Sequence, residues 1–269
     1  DTTVPSPCIG LCWLNDETQL CDGCFRNIDE IRDWMIMDKT EKLSILKVLE
    51  ESGVDMVEIG MPYSDPLADG PVIQESNTVS IENGMSIATL LNQLKDIRKE
   101  VSIPILLMGY LNPVVQYGIE KFCNEIGEIG IDGLILPDLP MYEYETEYKS
   151  LFEKNNLSNI FLMTPQTSED RLKKIDQLSE GFIYALSSNS TTGNAQANQT
   201  TNTAYLEGLS KKGFSNPVLI GFNIKDKASF DKACSYSNGA IIGSAFIKAI
   251  NKENLSPEDI QSFVRTIRD

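Results

Sequence analysis

The chain has 269 residues, 41% of them apolar, enough for one core of α/β-barrel size or for two smaller domains. Its 39 acidic and 23 basic side chains leave a formal net charge of −16, which repels phosphate backbones and anionic lipid and argues against nucleic acid or a membrane surface as partner. There is no histidine, which excludes Ser-His-Asp and Cys-His nucleophile systems and His-ligated metals. Acid–base chemistry near neutral pH then falls to Asp, Glu, Lys, Tyr or Cys. No apolar run is long enough to span a bilayer, and the first residues lack a basic stretch followed by an apolar one. A cytoplasmic location is the expected default.

The first segment, residues 1–38, holds Cys8, Cys12, Cys21 and Cys24 in the spacing C-x3-C-x8-C-x2-C. Four thiolates so placed can close on one tetrahedral metal, such as zinc, or hold an iron–sulfur cluster. Two disulfides or four unliganded thiols are the competing accounts, the disulfides suited to an oxidising compartment. So short a segment has too little core to fold alone without a staple. Ile28, Ile31, Trp34 and Met35 recur at helical spacing, which predicts a short amphipathic helix after the cysteines. Through Ser6-Pro-Cys-Ile-Gly-Leu-Cys12, Leu20-Cys-Asp-Gly-Cys24, Ile28-Asp-Glu-Ile31 and Trp34, residues 5–42 resemble a small bacterial cysteine-rich family of unknown function. Cys123 and Cys234, isolated in later helical patterns, read as small core residues.

From residue 39 to 269 short apolar runs alternate with helix-period stretches. The runs are 56–60, 104–108, 133–136, 159–163, 182–186, 217–221 and 240–243, and they read as buried parallel strands. Between them lie patterns such as residues 86–98, where Ser86 is a candidate N-cap. Repeated βαβ units over this length predict a TIM-type (β/α)8 barrel rather than an open doubly wound sheet. No G-x-G-x-x-G follows the first strand, which argues against dinucleotide binding.

The first run carries Glu58, and the loop after it carries Asp65 and Asp69 among three prolines, Pro62, Pro66 and Pro71. A carboxylate inside an apolar strand is costly unless it is paired or faces a cavity with a raised pKa. In a barrel, alternate strand residues point inward, and the loop after a strand lies on the active-site face. Glu58 on a rigid strand and Asp69 on a loop can then flank one substrate, one shuttling protons and the other staying charged. The plainer alternative is that Glu58 pairs with a lysine and the aspartates cap a turn. Near the other end, the glycine-bearing turns at Thr192-Gly193, Gly221-Phe222-Asn223 and Gly243-Ser244 follow late strands. Backbone N–H groups there, with the Ser244 hydroxyl, can form a local anion nest in an otherwise acidic protein.

The stretch Glu58-Ile-Gly-Met-Pro-Tyr-Ser-Asp-Pro-Leu-Ala-Asp-Gly-Pro71 closely resembles the signature of tryptophan synthase alpha chains. The resemblance continues through Met108-Gly-Tyr-Leu-Asn-Pro113, Leu136-Pro-Asp-Leu-Pro140, Phe182-Ile-Tyr-Ala-Leu-Ser-Ser188, Thr191-Thr-Gly193 and Gly239-Ala-Ile-Ile-Gly-Ser244, covering residues from about Leu43 onward. It implies a lyase that cleaves indole-3-glycerol phosphate to indole and glyceraldehyde 3-phosphate in tryptophan biosynthesis, with no cofactor for catalysis. Glu58 would be the acid–base, Asp69 would bind the indole N–H and stabilise positive charge on the ring, and Tyr184 would support Glu58 and the substrate. Gly193, Asn223, Gly243 and Ser244 would hold the substrate phosphate. The implied partner is a tryptophan synthase beta chain in an alpha2-beta2-type assembly. This chain has Asn223 where the family usually has glycine, and Ser188 where some members have arginine.

The resemblance also implies a first strand ahead of the helix at about residues 39–50, and no such strand is legible. The cysteine-rich segment stands in its place, so the chain reads as a fusion, and a barrel lacking its first strand is expected. A catalytically impaired barrel that binds a phosphorylated ligand or the beta chain is the second functional reading. A metal- or redox-dependent interaction protein is the third.

Overall fold

The apolar runs form strands almost where the pattern puts them. The structure, a computed structural model, describes residues 39–186, 199–221, 224–251 and 255–269. The strands are β1 (Val57–Gly60), β2 (Ile105–Met108), β3 (Gly133–Ile135), β4 (Ser158–Asn159), β5 (Leu162–Met163), β6 (Ile183–Leu186), β7 (Val218–Gly221) and β8 (Gly239–Ala240). All pair in parallel, in the order β1-β2-β3-β4 and β5-β6-β7-β8. The break between β4 and β5 is nominal. Ile160 N–H donates to Leu134 on one side, and Phe161 carbonyl accepts from Tyr184 N–H on the other, both at 3.0 Å. One continuous segment therefore joins the two halves into a single arc.

Helices follow the strands on the outside: α1 (Lys39–Glu51) ahead of β1, then α2 (Pro71–Glu82), α3 (Ile87–Leu94), α4 (Leu111–Tyr117) and α5 (Ile119–Ile129). A short turn at Met141–Glu143 runs through a wider turn into α6 (Lys149–Lys154). It is followed by α7 (Glu169–Leu178), α8 (Gln199–Ser210), α9 (Lys227–Cys234), α10 (Ser244–Ile250) and α11 (Pro257–Arg268). Ser86 caps α3 as its sequence predicts, accepting from Thr89 N–H at 3.1 Å.

Two cores result, because strands buried on both faces sort their side chains with a period of two. Odd-numbered β2 residues Ile105 and Leu107 pack outward against the helices. Leu106, Ile135, Ile160, Phe182 and Tyr184 fill the barrel interior, with Met56, Met108, Leu162, Leu219 and Ile241 around them. Glu58 is in register with Leu106 and lies two residues past Met56, so the same alternation turns it inward.

Among the described residues β1 pairs only with β2, and β8 only with β7. The outer layer does close there, since α1 packs on α11 and α2 on α10. The expected loss of the first strand falls on residues 1–38 and lies outside the described residues.

Gly221, at the end of β7, makes room for the interior. A Cβ there would overlap the hydroxyl and ring of Tyr184. Gly221→Ala is expected to destabilise the fold by about 1–3 kcal/mol in chemical denaturation. Gly208→Ala, in α8 where a Cβ meets nothing, should be neutral or stabilising.

Candidate active site

Glu58, Asp69, Tyr110, Tyr184, Gly243 and Ser244 all line one interior cavity. Of the four residues proposed to hold a phosphate, Gly243 and Ser244 are therefore on the same cavity as the carboxylates. Gly193 and Asn223 lie outside the described residues, as do Ser188 and the cysteines Cys8, Cys12, Cys21 and Cys24. Among the described residues no group of three or more acidic or thiol side chains is placed to hold a metal ion.

Glu58 keeps some surface along the cavity, yet its Oε1 is sealed and has no hydrogen-bond partner among the described residues. Burial pushes this carboxyl from its ordinary 4.5 up to about 7. The lysine pairing considered as the plainer reading is not found at Oε1. Tyr184, buried at 5% exposure, sits across the barrel on β6. Its hydroxyl is pushed well above its ordinary value, first by burial and then by the negative charges of Glu58 and Asp69. The three groups thus share one poorly hydrated interior.

Asp69 is placed by the loop that β1 feeds. Asp69 N–H donates to Pro66 at 3.0 Å, and Gln74 of α2 donates to the Asp69 carbonyl at 2.9 Å. Its Oδ2 accepts from the Tyr110 hydroxyl at 3.0 Å, and that hydroxyl in turn accepts from Ala68 N–H at 3.1 Å. Burial raises the Asp69 carboxyl above its ordinary value, and the Tyr110 hydrogen bond offsets only part of that rise. The two carboxyls are therefore tuned differently: one bare and raised, one held by a donor. Sequence reasoning missed Tyr110. Its signal is a hydroxyl-bearing aromatic two residues past the end of β2, on the face where barrel loops build sites. Its ring also packs on Tyr63 of the carboxylate loop, with centroids 4.9 Å apart.

At the opposite rim, α10 begins at Ser244 with Gly243 as its N-cap, and no side chain caps that end. Gly243 and Ser244 line the cavity, and free N–H groups at a helix start suit an anion.

A family model described as tryptophan synthase alpha chain matches residues 36–267. The chain belongs to the tryptophan synthase alpha chain family. It is 51% identical over 227 residues to the tryptophan synthase alpha chain of Flavobacterium psychrophilum, covering 84% of this chain and 89% of that one. It is 50% identical over 231 residues to that of Christiangramia forsetii, covering 86% and 89%. The solved tryptophan synthase A-subunit of the hyperthermophile Pyrococcus furiosus superimposes with a TM-score of 0.76 at 30% identity, covering 86% of this chain and 93% of that one. The subunit alpha of Legionella pneumophila gives 0.75 at 30%, covering 85% and 86%. A second model, described as a protein of unknown function (DUF1289), matches residues 6–52. The two matches overlap across α1, the helix at which the sequence reads as a fusion. The chain is an alpha-type lyase of the TIM-barrel class, acting on indole-3-glycerol phosphate in tryptophan biosynthesis without a cofactor. Among the described residues no helix is long and apolar enough to cross a membrane.

The raised Glu58 carboxyl has a signed consequence for stability. Between pH 4.5 and about 7 the folded protein keeps a proton that the unfolded chain releases, so this group lowers stability as pH rises through that window. Glu58→Gln should be more stable than the parent above pH 7, by up to ~3 kcal/mol at about 1.4 kcal/mol per pH unit. The two should be equal below pH 4.5. Urea denaturation at pH 4 and pH 8 measures both.

Proposed function

We propose that Glu58 is the acid–base of the cleavage, that Asp69 binds and polarises the indole ring, and that Tyr184 positions both. The observation that carries this reading is the contrast between the two carboxyls. Glu58 has an unpartnered, buried Oε1 and a pKa near 7, so it can give and take a proton at working pH. Asp69 is held by Tyr110 and is suited to remain an anion.

The step follows from those states. Protonation of the indole ring at C3 places positive charge on the ring, which the Asp69 carboxylate stabilises through the ring N–H. Loss of the proton from the adjacent side-chain hydroxyl forms the aldehyde carbonyl. The C–C bond electrons then return to the ring, releasing indole and glyceraldehyde 3-phosphate. One proton is added to carbon and one is removed from oxygen, so a single carboxyl of intermediate pKa serves both transfers. The phosphate is held by backbone N–H groups at Gly243 and Ser244, with Gly193 and Asn223 contributing from the neighbouring loops.

The partner is the tryptophan synthase beta chain, in an alpha2-beta2-type assembly. Leu67, 83% exposed on the carboxylate loop beside Asp69, offers an apolar contact on the face where indole leaves. The four N-terminal cysteines bind zinc or an iron–sulfur cluster apart from the reaction. Metal analysis of the purified chain should find close to one site, which Cys21→Ser with Cys24→Ser removes. Metal-free protein with unchanged thiol content would contradict that part.

Indole release by purified protein tests the catalytic assignment. Glu58→Gln and Asp69→Ala should each lower kcat by about 10²–10⁴ while retaining the far-ultraviolet dichroism of the parent. Tyr110→Phe should lose less, since it frees Asp69 without removing it. Equal rates in parent and variants would contradict the roles given.

A further inference from the structure

Among the described residues four glycines lie in strands: Gly60, Gly133, Gly221 and Gly239. A glycine weakens a strand, and it often marks a place where a ligand or another part of the chain comes close. Three of the four yield to the protein itself. A Cβ on Gly133 would overlap the Ser158 carbonyl of β4, one on Gly221 the Tyr184 hydroxyl, and one on Gly239 the Leu219 side chain. Gly60 differs. Among the described residues, no atom beyond its chain neighbours comes within 4 Å of the point where its Cβ would stand. Alternation along β1 turns residue 60 to the same face as Met56 and Glu58, and its register partner Met108 packs with the interior cluster. Gly60, Glu58, Asp69 and Met108 all line the cavity. The space that three glycines give up to protein atoms is, at Gly60, part of the cavity.

We infer that Gly60 is a specificity-determining residue: its bare backbone admits a small substituent at C2 of the indole ring, so that 2-substituted indole-3-glycerol phosphates are substrates. This rests on the roles proposed for Glu58 and Asp69. Asp69 takes the N–H at ring position N1, and Glu58 delivers its proton to C3. A single ring atom, C2, lies between those two positions. The strand β1 carries Glu58 and runs on into the loop that carries Asp69. The ring therefore turns its N1–C2–C3 edge to β1, and the inward residue of β1 between Glu58 and that loop is Gly60. A Cβ at this position would meet that edge, where a hydrogen does not. On the neighbouring strand Met108 flanks the slot, and its unbranched thioether adjusts to a methyl group placed before it. The benzene half of the ring points away from that edge, so a substituent at C5 is indifferent to residue 60.

Cleavage of indole-3-glycerol phosphate, its 2-methyl derivative and its 5-methyl derivative, each by the parent and by Gly60→Ala, tests this. The readout is the ratio of kcat/KM for the methylated to the plain substrate within one preparation, so any loss of folded protein cancels. In the parent the 2-methyl compound should be cleaved within about tenfold of the plain substrate, the lower end of what one methyl group costs in a pocket. In Gly60→Ala the 2-methyl ratio should fall by a further factor of about 10–100, with the 5-methyl ratio unchanged. A parent that rejects the 2-methyl compound would overturn the inference. So would an alanine variant in which both ratios hold or both fall together. Failure of the acid–base roles reads out separately, in the plain substrate alone, as Glu58→Gln and Asp69→Ala working at the parent rate.

Discussion

Along its inner face, β1 carries a carboxyl where every neighbouring strand carries hydrocarbon. Glu58 is in register with Leu106, which packs with Ile135, Ile160 and Tyr184 in the barrel interior. Water is kept from Oε1, and the protein offers it no donor there among the described residues. Desolvation alone then holds the carboxyl near pH 7. The fold accepts a destabilising group at the position proposed to move the proton, and surrounds it with enough apolar packing to tolerate it.

The second carboxyl shows why environment rather than residue type assigns the roles. Asp69 also lines the cavity and is also partly desolvated, but the Tyr110 hydroxyl reaches it. That hydroxyl is fixed by Ala68 N–H and by stacking on Tyr63, so the carboxylate loop and the β2 loop hold one another. Tyr184 completes the set from the far wall, and it fits there because residue 221 has no side chain.

Much of this was legible in the sequence, for physical reasons that can be named. Strands buried on both faces announce themselves as unbroken apolar runs, and all seven runs contain strand, though 159–163 is divided between β4 and β5 and the last run is strand only as far as Ala240. Glu58 stood out because a charge interrupts such a run, and Ser86 because a hydroxyl precedes an apolar helical period. Tyr110 did not stand out, since a tyrosine after a strand is ordinary until its partner is seen across forty residues of chain. The carboxylate-loop motif gave the family directly, and the matches to known alpha chains agree with it. The phosphate end was half legible: Gly243 and Ser244 do meet the cavity, while Gly193 and Asn223 lie outside the described residues. The reading that a first strand is lacking rests on the helix pattern of α1 following the cysteine-rich stretch with no apolar run of the right kind between them, and it falls outside the described residues. Among the described residues the strand that bears Glu58 has β2 as its partner.

The ionisation state of Glu58 decides the account. Carbon-13 NMR of protein labelled at the glutamate side-chain carboxyls, with Glu58→Gln to assign the signal, reads it directly through a titration from pH 4 to 9. One resonance should titrate near 7 and vanish in the variant. If the Glu58 signal titrates near 4.5 with the exposed glutamates, the carboxyl is hydrated and the acid–base role assigned to it is wrong.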